Sequence, residues 1–163
     1  TMTLALGDAL AVALMEHRKF TPENFRKFHP GGKLGAQLAR VSDLMHVGNT
    51  VPTVSVDTPM TETLLAISQK GFGVVAVLDA HQTLVGIVTD GDLRRHMDGL
   101  LDLTAGEVMT KSPATVSVFA LAAEALAIMN ARKITCLFTA HPETPRKLAG
   151  VLHIHDCLRV GLG

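Results

Sequence analysis

The chain writes one phrase twice. Residues 86–95 read GIVTDGDLRR and residues 150–159 read GVLHIHDCLR. Around each phrase the surroundings repeat as well. Asp43-Leu44-Met45 is answered by Glu107-Val108-Met109, Glu62 by Glu124, Gly73 by Thr135, Gly86 by Gly150 and Asp92 by Asp156. The register slips only in turn-like stretches, near Pro52 and Pro113 and where HPETPRK replaces AHQT. A self-similar half of this length buries too little apolar surface to stand alone, so two halves must share a core.

Both halves parse the same way. Thr53–Val56 and Thr115–Val118 read as short strands. The apolar spacing of Thr61–Lys70 and Leu121–Arg132 follows a 3.6-residue period and predicts helices. Two strands joined by turn residues come next, Val74–Leu78 and Leu84–Val88 in one half, Cys136–Thr139 and Leu148–Leu152 in the other. A closing helix starts near Gly91 or His155. The expected architecture is α+β, a β-α-β-β-α unit twice over with pseudo-two-fold symmetry. Its boundaries fall at residues 1–40 for a preceding segment, 41–100 for the first repeat and 101–163 for the second. Two stacked sheets would leave a crevice with two related pockets.

The preceding segment is different. Residues 3–18, TLALGDALAVALMEHR, are helix formers with apolar residues on nearly every side, which demands burial by neighbours the segment does not supply. Asp8 and the lack of a basic leader argue against a signal sequence, and the apolar run at residues 9–15 is too short to span a bilayer. A cytoplasmic protein is expected. Thr21 before Pro22 and Glu23 signals a helix start, His29-Pro30-Gly31-Gly32 a turn, and Lys33 to Arg40 a short helix.

Composition removes several functions. Fifteen basic residues balance fifteen acidic ones, which gives no footprint for nucleic acid. No Trp or Tyr is present to stack bases. Cys136 and Cys157 sit in apolar stretches and read as small buried hydrophobes in a reducing compartment. His153 and His155 lack an obvious third ligand, so no metal is expected.

The repeated phrase carries the chemistry. In TDGDLRR an apolar strand gives way to a helix, and Thr89 or Asp90 caps it. Thr89 supplies a hydroxyl, Gly91 permits close backbone approach, and Asp92 offers two acceptor oxygens suited to a ribose diol. Arg94 or Arg95 can neutralise a phosphate. The same residues also read as a plain helix cap. In the second copy Asp156 keeps the acceptor while His153 replaces the threonine, so that pocket is a different subsite or a retired one. His46, at the start of the first repeat, reads as a ligand contact or a loop histidine. Thr53 and Thr135 stand at strand starts beside the expected crevice.

The phrase Gly-hydrophobic-hydrophobic-Thr-x-x-Asp at Gly86–Asp92, with its degenerate partner at Gly150–Asp156, resembles the tandem CBS domain pair over roughly residues 41–160. The resemblance implies a nucleotide in the crevice and regulation of an attached protein. Over the whole chain, TLALGDALAVALMEHRKFTPENFRKFHPGGKLG, SDLMHVGN, GIVTDGDLRR and GVLHIHDCLR are similar to the C-terminal half of D-arabinose 5-phosphate isomerases. There a sugar-isomerase (SIS) domain precedes the CBS pair, and the product feeds synthesis of Kdo, a sugar of Gram-negative lipopolysaccharide.

On that resemblance the chain starts within the last SIS helix, and His29 is the catalytic histidine of the parent enzyme. Without the rest of that domain the chain alone is expected to be inactive. No cofactor is implied. The implied effector is a nucleotide or nucleotide sugar, CMP-Kdo first and AMP or ATP second. Thr89, Gly91, Asp92 and Arg95 would hold ribose and phosphate, with Thr53, Thr135 and His46 nearby. His153, His155, Asp156 and the Arg132/Lys133 pair would face the sugar acid. The implied partners are the SIS domain and a second copy, a homodimer here and a tetramer in the full enzyme, with no nucleic acid and no membrane. The alternative is a structural module without ligand.

Overall fold

Apolar residues on every side of a helix leave it no polar face to turn outward, and α1 (Met2–His17) has no buried residue in the computed structural model. The structure describes residues 2–21, 24 and 33–163. It divides into two units, residues 1–38 and 39–163. In the first, α1 is followed by α2 (Lys33–Gln37). Asn24 donates its backbone N–H to Thr21 Oγ1 at 3.3 Å, the bond expected of a capping threonine. His29 and its HPGG turn lie outside the described residues. No helix among the described residues is long and apolar enough to cross a membrane.

The second unit contains the repeat. Each half opens on a single helical turn, α3 (Val41–Leu44) and, later, α6 (Ala105–Val108). The first half then runs β1 (Thr53–Ser55), α4 (Met60–Lys70), β2 (Val74–Leu78), β3 (Leu84–Thr89) and α5 (Asp90–Arg95). The second, after β4 (Thr110–Lys111), runs β5 (Thr115–Ser117), α7 (Ala122–Arg132), β6 (Cys136–His141), β7 (Thr144–His153) and α8 (Ile154–Arg159). In one sheet β1 pairs parallel with β2, and β2–β3–β4 continue antiparallel. In the other, β5 is parallel to β6 and β6 antiparallel to β7.

Strand β4 belongs to the second half in sequence but pairs with β3 of the first, Thr110 opposite Ile87. Its counterpart is a lone bridge, His46 opposite Val151. Each half therefore reaches across with the residues just after its opening turn. That crossing was not read from the sequence, because two to three residues carry no periodicity. The β6–β7 hairpin also pairs further toward its tip than expected, out to His141 opposite Thr144.

Strand β2 shows why the halves stack. All of its residues, VVAVL, are buried, which requires cover on both faces. Side chains alternate across a strand. Val75 and Val77 join Met60, Ile67 and Val88, with Ala105 and Val108 from the opening turn of the second half, in the core behind the first sheet. Val74, Ala76 and Leu78 join Val51 with Phe138 and Val151 of the second half in a shared core. At about 1.5–3 kcal/mol for each large aliphatic side chain fully buried, that shared layer is what neither half could build alone.

Two glycines let the crossing segments approach. A Cβ on Gly86 would strike the Met109 side chain, and one on Gly150 would strike the backbone oxygen of His46 and, at 3.2 Å, Met45 Sδ. The phrase keeps its glycine in both copies for the same steric reason.

Candidate functional site

A cleft of about 740 Å³ opens between the halves. One side is the strand-to-helix turn of the first half, Thr89, Asp90 and Gly91, with Arg94 a turn further on. The facing side is the end of α7 and the start of β6, Arg132, Lys133, Ile134 and Thr135. Val74, Ile87 and Phe138 supply apolar surface, and the crossing segment contributes Thr110, Ser112, Pro113 and Ala114. Among the described residues that line it, the cations Arg94, Arg132 and Lys133 meet one carboxylate, Asp90. Lys133 ends α7 in the left-handed conformation, φ 54°, which turns the chain from helix to strand at the rim. The cleft suits an anionic ligand with an apolar body.

Cys136 also lines the cleft. Burial pushes its thiol up to about 11, so it stays protonated at neutral pH and offers no thiolate.

Asp92 is not on the wall. It is 1% exposed and bonded inside the protein on both oxygens. Thr89 donates to Oδ2 through its backbone N–H (2.8 Å) and its hydroxyl (2.6 Å). The Thr110 hydroxyl donates to Oδ1 at 2.6 Å, and Arg95 pairs with the same oxygen. Burial alone would raise the Asp92 pKa. The hydrogen bonds from Thr110 and Thr89, with Arg95 beside them, outweigh burial and hold it below the ordinary carboxylate value. Asp92 and Thr89 form a capping box that pins α5, β3 and β4 together. Arg95 is spent on Asp92, and Arg94 is the arginine that reaches the cleft. At Gly91 an added Cβ would make only ordinary contacts, with Arg95 Nη1 and Thr89 Oγ1 at 3.5 Å, so the protein's own packing does not require the glycine.

The structure thus brings Thr89, Gly91, Arg132, Lys133 and Thr135 together at one cleft. Thr53 lies on β1 opposite Ala76 and is not part of it. His46, His153, His155 and Asp156 gather instead at the pseudo-symmetric position.

There the same network is rebuilt with imidazoles. Asp156 receives the His153 backbone N–H at 3.3 Å, His46 Nε2 lies 2.9 Å from its Oδ2, and Arg159 Nη1 lies 3.5 Å from Oδ1. His46 thus holds the place of Thr110, His153 that of Thr89 and Arg159 that of Arg95. The His153 ring accepts the backbone N–H of His155 and caps α8. The Phe72 ring stands edge-on to His46, centroids 5.0 Å apart, and 6.1 Å from His153. Burial, then the neighbouring His155 and His46, lower the His153 pKa against the pull of Asp156. No group of three or more His, Cys, Asp or Glu among the described residues is placed to hold a metal ion.

Sequence reasoning missed the crossing segment Ser112–Ala114 and the place of Phe72. The repeat carried a signal for the second, since Phe72 aligns with Ile134, a cleft residue.

Comparison with known proteins agrees with this architecture. The CBS domain family matches residues 41–99 and 105–163. The chain is 47% identical to the arabinose 5-phosphate isomerase KdsD of Pseudomonas aeruginosa over 99% of its own residues. It spans about half the length of that relative, 50%. Among solved structures it resembles CBSX2 in complex with AMP, with a TM-score of 0.65 and 24% identity over 76% of this chain and 96% of that one. It also resembles the CBS domain of a bacterial CNNM/CorC family Mg2+ transporter in complex with ATP, with a TM-score of 0.65 and 16% identity over 78% and 89%.

Proposed function

The chain belongs to the CBS domain family, as a tandem pair, and from that premise we propose that it is a regulatory module that takes a nucleotide or nucleotide sugar into the cleft between its halves. The observation that carries the reading is the charge of that cleft: Arg94, Arg132 and Lys133 against Asp90 alone, around an apolar floor. The phosphate lies among the three cations, and Thr89 and Thr135 offer hydroxyls to it or to the ribose. The base rests on Ile87, Val74 and Phe138.

CMP-Kdo is the first candidate, because it joins a nucleoside phosphate to a sugar carboxylate. Adenine nucleotides are the second, supported by the AMP and ATP in the complexes of the two solved neighbours. The regulated activity is that of an arabinose 5-phosphate isomerase (SIS) domain in the same cytoplasmic polypeptide, most of it in the half of the KdsD relative that this chain does not span. Residues 1–40 belong to that domain and its linker, and His29 acts only there. The pair self-associates as a dimer, and the longer protein as a tetramer.

Calorimetry of the chain with CMP-Kdo, CMP, AMP and ATP tests the reading. Saturable heat with at least one of them, weakened by added salt, is expected. Silence from all four overturns it. That result would favour the second reading, a structural module, which draws on one observation: Asp92 is fully used as a capping strut.

A further inference from the structure

The pair has two halves and two pseudo-equivalent positions, yet the residues that charge and open the first are replaced one by one at the second. Arg94 corresponds to Leu158. Lys133, the left-handed residue after α7, corresponds to Gly71, the left-handed residue after α4. Arg132 corresponds to Lys70, whose ammonium is bonded to the backbone oxygen of Asn49. Ile134 corresponds to Phe72, and Thr110 to His46. The two larger side chains are the rings that meet edge-on at 5.0 Å, and His153 adds a third ring beside them. The Phe72 ring also packs against the core shared by the two halves.

We propose that the pair binds one nucleotide per chain, and that Phe72 and His46, by filling the twin position, are the residues that set this number. The inference rests on the nucleotide reading above and adds which of the two positions is used. Two effects act together. The twin position keeps one of the three cations, Lys70, and that one is bonded to Asn49, while Leu158 and Gly71 stand for Arg94 and Lys133; aromatic rings occupy the place of the smaller Ile134 and Thr110 side chains. Conversion back needs both effects reversed.

Titration of the full chain with each of CMP-Kdo, CMP, AMP and ATP reads the number directly. One equivalent per chain is expected for whichever of the four binds, and two equivalents overturn the inference while leaving the nucleotide reading intact. Heat from none of the four removes the nucleotide reading and this inference with it. Arg132→Ala with Lys133→Gly removes cations from the first position only, at exposed residues. It should weaken all binding at least tenfold, and a full-affinity equivalent surviving in that variant contradicts the proposal. In the reverse direction, Phe72→Ile, His46→Thr, Gly71→Lys and Leu158→Arg rebuild the first position at the second. A folded quadruple variant, checked by its cooperative thermal transition, should take up a second equivalent, and a folded variant that stays at one contradicts the roles given to these residues.

Discussion

Asp92 and Asp156 occupy the same place in the repeated phrase and are held by different chemistry. Asp92 is 1% exposed and accepts from two threonines and an arginine. Removing its carboxylate lets the exposed Thr110 and Arg95 turn to water but leaves the half-buried Thr89 cap and the junction of α5 with β3 and β4 untied. Asp92→Ala is therefore expected to cost about 1–2 kcal/mol in urea denaturation, the range of a lost helix cap. Because the Asp92 pKa is lowered on folding, its stabilisation is in place above the unfolded carboxylate value, near 3.9, and is lost only as pH falls through the lower folded value.

His153 titrates in a higher window. Its folded pKa is lowered, so the unfolded chain binds a proton that the folded chain resists. Stability is complete above the unfolded value, near 6.5, and falls as pH drops from there toward the folded value. Thermal midpoints measured between pH 7.5 and 5 should decline in the parent chain. They should flatten in His153→Asn, which keeps a capping acceptor without the titration.

At the scale of elements, the crossing segments are the joints of the pair, and the two glycines beneath them are not equivalent. Gly86→Ala meets the Met109 side chain from Sδ back to Cβ, which a change of rotamer relieves in part, whereas Gly150→Ala meets a backbone oxygen that no rotamer moves. The second substitution should lower the thermal midpoint clearly more than the first, and equal effects would contradict this picture of the joints.

The sequence made the long elements legible because their patterns are regular. The 3.6-residue spacing of α4 and α7 and the first hairpin appear where they are expected to within a residue at their ends, whereas the strands of the second hairpin reach two and four residues further toward its tip. The crossing segments, one of which lines the cleft, were not legible. β4 and the His46 bridge are too short for periodicity and are fixed by pairing with a strand distant in sequence. The site was half legible for a related reason. The capping phrase stands out in sequence whether its carboxylate faces a ligand or the protein interior, and the donor that turns Asp92 inward, Thr110, comes from the other half. The cleft cations at Arg132 and Lys133 were visible, but only the packing separates them from His153 and His155 on the twin side.

For the whole molecule, duplication followed by divergence explains the asymmetry. Both halves retain the scaffold: the glycine at the crossing, the capping aspartate, and the left-handed residue after the long helix. They differ at the surface between them, where Arg94, Lys133 and Ile134 on one side stand against Leu158, Gly71 and Phe72 on the other. A ligand that meets three cations should depend on each of them. Arg94→Ala, Arg132→Ala or Lys133→Gly alone is expected to weaken nucleotide binding about tenfold, in line with about 1–2 kcal/mol for a partly exposed charge-assisted contact, and to flatten its salt dependence. Calorimetry at two salt concentrations reads both effects.

Diffraction from crystals soaked with CMP-Kdo and, separately, with AMP tests the cleft itself. A phosphate among Arg94, Arg132 and Lys133, with the base over Ile87 and Phe138, is the predicted result. A nucleotide seated instead against Phe72 and His153, or a cleft left empty by both ligands at saturating concentration, would contradict it.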